Sequence, residues 1–479
     1  MSANNYLRGA RRVVGLLLLA FAVTAFAQVA PIGDVEYVRG AGAAQREGEA
    51  PRVLGAGSPI AQGEVLTTGA NSYAVIKLAD GSRMTLRSHT SLKVDDFVLD
   101  QPGRADNLAM SLFRGGLRMV TGLISKRVGT SRLATPTATV GIRGTDFDAR
   151  LCADDCRAEA ARPSVPLAQA NVQTLTPASA RVVQVQGGLT ATGGNGERRL
   201  VQAGGPAYNG DVIETAPGAQ AVLVFRDDTR VTVQGGTRFR IDDFVYDSNR
   251  PAEGKAVFNL LKGGIRALTG LIGKARPSSV RFATATATVG IRGTGIDMTC
   301  EGTCAGEPAS GATDGFFILT WQGEVEVSSG AAPTQILIVP VGSAARLGGG
   351  EVRPILLRAI DIPALMNNNP APRPDQLNID LKTLFGGVQK NDGEPGLYVT
   401  LRDGHLELTQ AGGSPVNIGR GEAVFAGLST GTLTRLEQVP AFMRNDATPL
   451  PTRVDARGAQ LLDMLNLGLR ARANLTCRP

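Results

Sequence analysis

Along most of this chain apolar and polar residues alternate with a period of two, not 3.6, the pattern of half-buried strands. Tyr73 to Leu78 reads as one strand and Arg83-Met84-Thr85-Leu86 as the next. Between them Asp80-Gly81 marks a hairpin turn, because glycine accepts a positive φ there. Leu108, Met110 and Leu112 alternate again before Gly115-Gly116. Ala221 to Phe225 and Val231-Thr232-Val233 repeat the paired pattern around Asp227-Asp228. Weaker lead-in strands lie at Val35-Glu36-Tyr37-Val38 and Arg181 to Val185. The fold expected is all-β.

The strands come in two copies. Residues 63–156 recur at 210–304. Gly63-Glu64-Val65-Leu66 matches Gly210-Asp211-Val212-Ile213, and Asp95-Asp96-Phe97-Val98 matches Asp242-Asp243-Phe244-Val245. Thr121-Gly122-Leu123-Ile124 is identical to Thr269-Gly270-Leu271-Ile272. Thr137 to Thr145, TATVGIRGT, is identical to Thr286 to Thr294. Self-similarity of this kind means one structural unit used twice, each of roughly eight short strands. A different β element follows copy two: Phe316 to Leu319, Gly323, Val325 and Val327, then Ile336 to Val341. A similar one lies at Leu397 to Val399, Asp403-Gly404, Leu406 and Leu408, then Val416 to Val424. Copy one has no such tail beside it. The expected division is a leader at 1–27, module one at 28–156, a linker at 157–178 and module two with its tail at 179–350. A linker with short helices at 351–391, a second tail at 392–430 and a helical segment at 431–479 complete it. Leu461, Leu462, Leu465 and Leu469 place one amphipathic helix over Val454 to Ala473.

Composition and charge sharpen this picture in three ways. The first segment carries Arg8, Arg11 and Arg12, then an apolar run from Val13 to Ala22 and Ala25-Phe26-Ala27. That is a secretory signal with cleavage expected after Ala27, and the competing reading is an uncleaved anchor. Once the signal is removed, the chain is expected not to span a membrane. The formal charge of +7 loses three arginines and no acid with the leader. The remaining charges are mixed, so nucleic-acid binding gains no support. Export also implies an oxidising compartment for Cys152, Cys156, Cys300, Cys304 and Cys477.

The repeated motifs resemble the FecR domain, the periplasmic domain named for the ferric citrate regulator. They are the Asp80-Gly81-Ser82 turn, degraded to Asp227-Asp228-Thr229 in copy two, and the boxes Thr135 to Thr145 and Thr284 to Thr294, with Ala285 in place of a proline. The resemblance covers roughly residues 33–156 and 180–304. It implies two tandem modules of twisted β-solenoid or sandwich type in the periplasm. In the regulators such a domain belongs to a transmembrane relay that begins with a cytoplasmic anti-sigma segment. Only ten residues precede Arg11-Arg12, so that segment is expected to be lacking.

Candidate chemistry concentrates in the duplicated boxes. Arg143 and Arg292, with Thr145 and Thr294, could bind a carboxylate or phosphate through the bidentate guanidinium fork. The competing and favoured reading pairs each arginine internally, with Asp148 and Asp297 just downstream. Cys152–Cys156 and Cys300–Cys304 are read as structural disulfides, in preference to a redox pair or a shared zinc site. Cys477 is left free or pairs between chains. Asp95-Asp96 and Asp242-Asp243 point to opposite strand faces and do not converge on an ion. His89 and His405 are unrepeated, and no phosphate loop, dinucleotide fingerprint or nucleophile elbow is present. No metal, cofactor or catalytic residue is expected. The expected function is non-enzymatic: recognition of an envelope protein or sensing of an envelope signal. The alternative is a scaffold that binds envelope polysaccharide or peptidoglycan, which the single Trp321 mildly disfavours. Oligomeric state is left open.

Overall fold

The computed structural model describes residues 30–451, apart from 127–129, 161–176, 363–370, 387–392, 429–432 and positions 154, 195, 197, 310, 414, 438, 445 and 447. The leader, most of the 157–178 linker, the Val454 to Ala473 helix and Cys477 lie outside the described residues.

The fold is all-β, in two sheets of the same design. Among the described residues module one contains eleven strands rather than eight, and two of them are 14 residues long, Asn107–Val120 and Thr139–Cys152. Each long strand belongs to both faces of the module. The first half of Asn107–Val120 pairs with Ser91–Val98, and its second half pairs with Arg83–Leu86. The first half of Thr139–Cys152 pairs with Thr130–Ala134, and its second half with Asn107–Val120. Glycines that look like breaks in the sequence are therefore corners inside continuous strands, a familiar use of a bulge or glycine kink. The short strands Pro31–Arg39, Tyr73–Leu78, Val65–Thr68 and Ser91–Val98 fold around one core that includes Val35, Ile76, Leu66, Leu92, Leu112 and Phe147. Module two repeats this plan, with long strands Lys255–Leu268 and Ala287–Glu301 and a core that adds Phe225, Phe239, Phe258 and Phe282.

The Asp-Gly-Ser turn explains why Thr-Gly-Leu-Ile is repeated. Asp80 accepts hydrogen bonds from the Ser82 backbone N–H (2.9 Å) and hydroxyl (2.8 Å). The Ser82 hydroxyl in turn accepts the Gly122 N–H at 2.8 Å. In module two Asp227 and Thr229 make the same bonds and receive Gly270 N–H at 3.0 Å. The degraded motif thus keeps its lock. Its Asp228 takes the positive φ (65°) that Gly81 takes in module one (82°), a conformation aspartate tolerates better than most residues.

The two tails do not both follow the chain order. Gly315–Ser329 pairs with Ala287–Glu301, so the first tail extends module two. Gly396–Thr409 pairs instead with Thr139–Cys152 of module one, more than 240 residues back, in the same pattern. Val140 faces Leu408 and Ala149 faces Val399, as Val289 faces Val327 and Met298 faces Ile318. Copy one lacks a tail beside it in sequence but has one in space. An exposed 14-residue strand edge is a liability, and the distant segment covers it. Module two is therefore inserted between module one and its tail. Gly393 returns against the backbone of Cys156 and Arg157, where a Cβ would sit 2.6 Å from the Arg157 nitrogen.

After each tail the chain crosses back over its own module. Arg266 donates to the Ala371 carbonyl (2.8 Å), Thr232 to Pro372 (2.9 Å) and Arg230 to Pro374 (3.0 Å). On module one Arg118 donates to the Thr448 carbonyl at 2.7 Å, and Asp446 pairs with Arg87 at 3.0 Å and Arg118 at 3.4 Å. Within the expected 351–391 linker, Ile355–Leu357 adds a strand to the module-two sheet and Leu381–Phe385 forms a short helix.

Candidate functional site

The duplicated Arg-Gly-Thr boxes sit at the corners of Thr139–Cys152 and Ala287–Glu301. Pairing with the tail slips in register between Arg143 and Asp146 and between Arg292 and Gly295. Gly144 lies against Gly404 of the opposing strand, and Gly293 against Gly323. All four glycines have positive φ, and a Cβ at Gly404 or Gly323 would collide with the facing carbonyl oxygen. Thr145 and Thr294 are buried, and their backbone N–H donates to, and their carbonyl accepts from, the hydroxyls of Thr121 and Thr269. They hold the corner together.

The corner also separates each arginine from the aspartate expected to pair with it. Asp148 lies past the bend and pairs with Arg118 (3.4 Å) and Arg402. Asp297 accepts from Nε and Nη2 of Arg266, at 2.8 and 2.7 Å, and from the Trp321 indole N–H at 3.1 Å. The two aspartates are therefore not the partners, although Arg292 does pair internally. Arg292 instead reaches across to the tail and pairs with Glu324 (3.0 Å) and Glu326 (2.5 Å). At the equivalent places module one has His405 opposite Arg143 and Glu407 opposite Gly141. Arg143 is exposed, and its guanidinium makes no hydrogen bond or ion pair with any described residue. The two boxes are identical in sequence, yet one arginine is neutralised and the other is not.

His405 does not replace the missing carboxylate. Burial is the main reason its pKa falls to about 4, and Arg143, Arg199 and Arg181 push the same way. The imidazole is therefore neutral near pH 7. Its Nε2 lies 2.8 Å from the Asn417 side-chain oxygen, so Nε2 carries the proton.

Arg143 opens onto the seam where the tail of module one meets module two. Arg181 of module two is fully buried there, donating to the carbonyls of Gly204 (2.8 Å) and Asn417 (3.2 Å) and pairing with Glu422. Asn417 donates to the Ala203 carbonyl at 3.2 Å, and Arg435 donates to the Asn417 carbonyl at 2.9 Å. Beside this seal is a pocket lined by Arg143, Arg199, Tyr208, Asp403, His405 and Arg420. Arg199 pairs with Asp211, the counterpart of Arg52 with Glu64 in module one. The guanidinium carbons of Arg199 and Arg420 lie 5.1 and 5.4 Å from the Tyr208 ring centre, within cation–π range. The Tyr208 hydroxyl and the Arg199 Nε are buried without a hydrogen-bond partner. Burial raises the Tyr208 pKa, so the phenol stays a donor.

Of the predicted site residues, only Arg143 reaches this pocket. Arg199, Tyr208 and Arg420 were missed, and His405 was set aside as unrepeated. The available signal was the mismatch between the tails, where His405 stands in for Glu324. The cysteines behave as expected: Cys152–Cys156 and Cys300–Cys304 are both closed. The first packs with Tyr398, Phe425, Phe442 and Met443, where the chain leaves module one and its tail returns. Asp95 accepts from Ser111 and Asp96 from Asn107, while Asp242 pairs with Arg240 and Asp243 with Lys255. Among the described residues no group of three or more His, Cys, Asp or Glu is placed to hold a metal ion, and no helix is long and apolar enough to cross a membrane.

Comparison with known proteins agrees with the duplicated design. The family model described as FecR protein matches residues 64–165 and again 211–332. No curated protein matches the chain. Two crystal structures of a putative anti-sigma factor from Parabacteroides distasonis are similar at 15% identity and a TM-score of 0.23. The similarity covers 31% of this chain, which spans only 59% of that one. The two matched regions fall one on each module, and each includes its Arg-Gly-Thr corner: the chain is a FecR-domain protein with two copies of the domain.

Proposed function

We propose that the chain is a non-enzymatic recognition protein of the periplasm that binds an envelope protein through the outer strands of the module-two tail, as part of sensing or signalling at the envelope. One observation carries this reading. In module one the outer tail strand Val416–Gly419 is largely buried, packed against Pro206–Ala207 of module two. Among the described residues its counterpart Leu337–Pro340 pairs only with Gly315–Ser329 and leaves Ile338 exposed. Ile336 and Val341 flank it and are exposed at 57% and 61%. Such a strand offers unpaired backbone groups and apolar side chains together, which suits an extended apolar segment of a partner added as a further strand. The leader at 1–27 and the two closed disulfides support export to an oxidising compartment. The FecR matches support a regulatory role over a catalytic one. The glycan alternative loses support because Trp321 is engaged: it is bonded to Asp297, and the Arg373 guanidinium carbon lies 4.7 Å from its ring centre.

The test places a photo-crosslinking side chain at Ile338 and crosslinks the protein in envelope preparations. A single crosslinked protein, lost when Ile336 and Val341 are both changed to Lys, is the expected result. Co-sedimentation with purified peptidoglycan and no crosslinked protein would favour the scaffold reading instead.

A further inference from the structure

We propose that the seam between the two modules is a binding site for a small oxyanion, a carboxylate or a phosphate group, and that the two copies of the Arg-Gly-Thr box have diverged so that only one serves it. The site is rich in donors. Arg143 and Arg420 have no carboxylate partner among the described residues. The Tyr208 hydroxyl and Arg199 Nε are buried donors with nothing to donate to, and leaving such groups unpaired is unfavourable. The acidic residue in the lining is Asp403, which is exposed, and Asp211 already neutralises Arg199. His405 is neutral and donates its Nε2 proton to Asn417, so it adds no charge to oppose an anion. Two guanidinium forks, a phenol and a third guanidinium edge match the lone pairs of one carboxylate or phosphate.

Module two shows what the same box does without this role. Arg292 holds the same strand position with the same neighbours in sequence, but Glu324 and Glu326 occupy its fork. In module one His405 takes the place of Glu324, and Glu407, at the place of Glu326, forms no ion pair with Arg143. The ligand would also touch both modules, since Arg143, His405 and Arg420 belong to module one and its tail, and Arg199 and Tyr208 to module two. Binding should then tighten the seam and stabilise the folded chain by mass action.

This inference is independent of the outer-strand reading above, and either can fail alone. The experiment measures the unfolding temperature of the full mature chain against inorganic phosphate and against malonate, with sodium chloride at matched ionic strength as reference. At least one anion is expected to raise it saturably above the chloride reference, and the comparison of the two says which group the site prefers. Arg143→Gln and Arg420→Gln should each weaken that response at least tenfold, and Arg292→Gln should leave it unchanged. Both arginines are exposed, so the variants keep their fold, which the unliganded unfolding temperature checks. A response no larger than that to chloride for both anions, or equal responses in Arg143→Gln and the parent, overturns the proposal.

Discussion

At the scale of single residues, the consequential substitution is the histidine that faces Arg143. His405 is partly buried and its pKa falls to about 4 from an ordinary value near 6.5. The unfolded chain takes up a proton at this position below pH 6.5, and the folded chain does not until about pH 4. The unfolded state therefore binds more protons in that window, and stability falls as pH drops through it. His405→Gln keeps a hydrogen-bonding side chain toward Asn417 and should flatten the acid side of the stability curve. The difference between variant and parent should grow to at most about 3 kcal/mol between pH 6.5 and 4, read by urea unfolding at stepped pH. Equal slopes in parent and variant would show that the ring is protonated in the fold. None of this was legible from the sequence, where His405 is a lone histidine in a β pattern. Its meaning comes from the residue across the strand, and from the glutamate that module two places there.

At the scale of the element, the long strands are stabilised by corners that only glycine can make. Gly404 sits at φ 88° with a carbonyl oxygen of the facing strand where a side chain would start. Gly412, in the same tail, has φ 75° but open space around it. Alanine at Gly412 should cost only the left-handed backbone strain, about 1 kcal/mol. Alanine at Gly404 adds a steric collision inside a paired strand and should cost at least about 3 kcal/mol. Thermal or denaturant unfolding of the two variants separates the contributions. Equal losses would mean that the corner yields. Strand positions were legible in detail: Tyr73–Leu78 and Arg83–Leu86 fall where alternation places them. Strand length was not. Gly115-Gly116 and Gly323 look like punctuation because glycine weakens a strand interior, and nothing local distinguishes a stop from a bend within one strand.

At the scale of the molecule, the two cores differ in how the chain builds them. The module-two core draws only on residues between Ala180 and Leu347. The module-one core combines residues from Ile32 to Ala149 with residues from Leu397 to Ala426. A fragment of residues 178–386 should therefore unfold cooperatively by itself, followed by circular dichroism. A fragment of residues 30–160 should not, because it leaves the Thr139–Cys152 edge and its core face bare. Replacing residues 161–392 by a short Gly/Ser linker should restore cooperative folding to module one, since Gly393 already lies beside Arg157. A stable 30–160 fragment would contradict this account. The sequence displayed two modules and two tails, and joined only the first tail to a module. It did not show which tail belongs to which module, because strand pairing across more than 240 residues leaves no local trace.

The insertion sets an order on the making of the protein. Synthesis runs from the N-terminus, so module one begins first and finishes last. Module two can close as soon as its own tail is complete. Module one must wait, with one 14-residue edge unpaired, until residues beyond Gly396 arrive. During that interval the newly made chain exposes a template for wrong partners, including the module-two tail, whose strand fits the same kind of edge. Early completion of module two removes that competitor by engaging its tail before the proper one appears. The nesting thus acts as a timetable that lets two nearly interchangeable tails find their own modules.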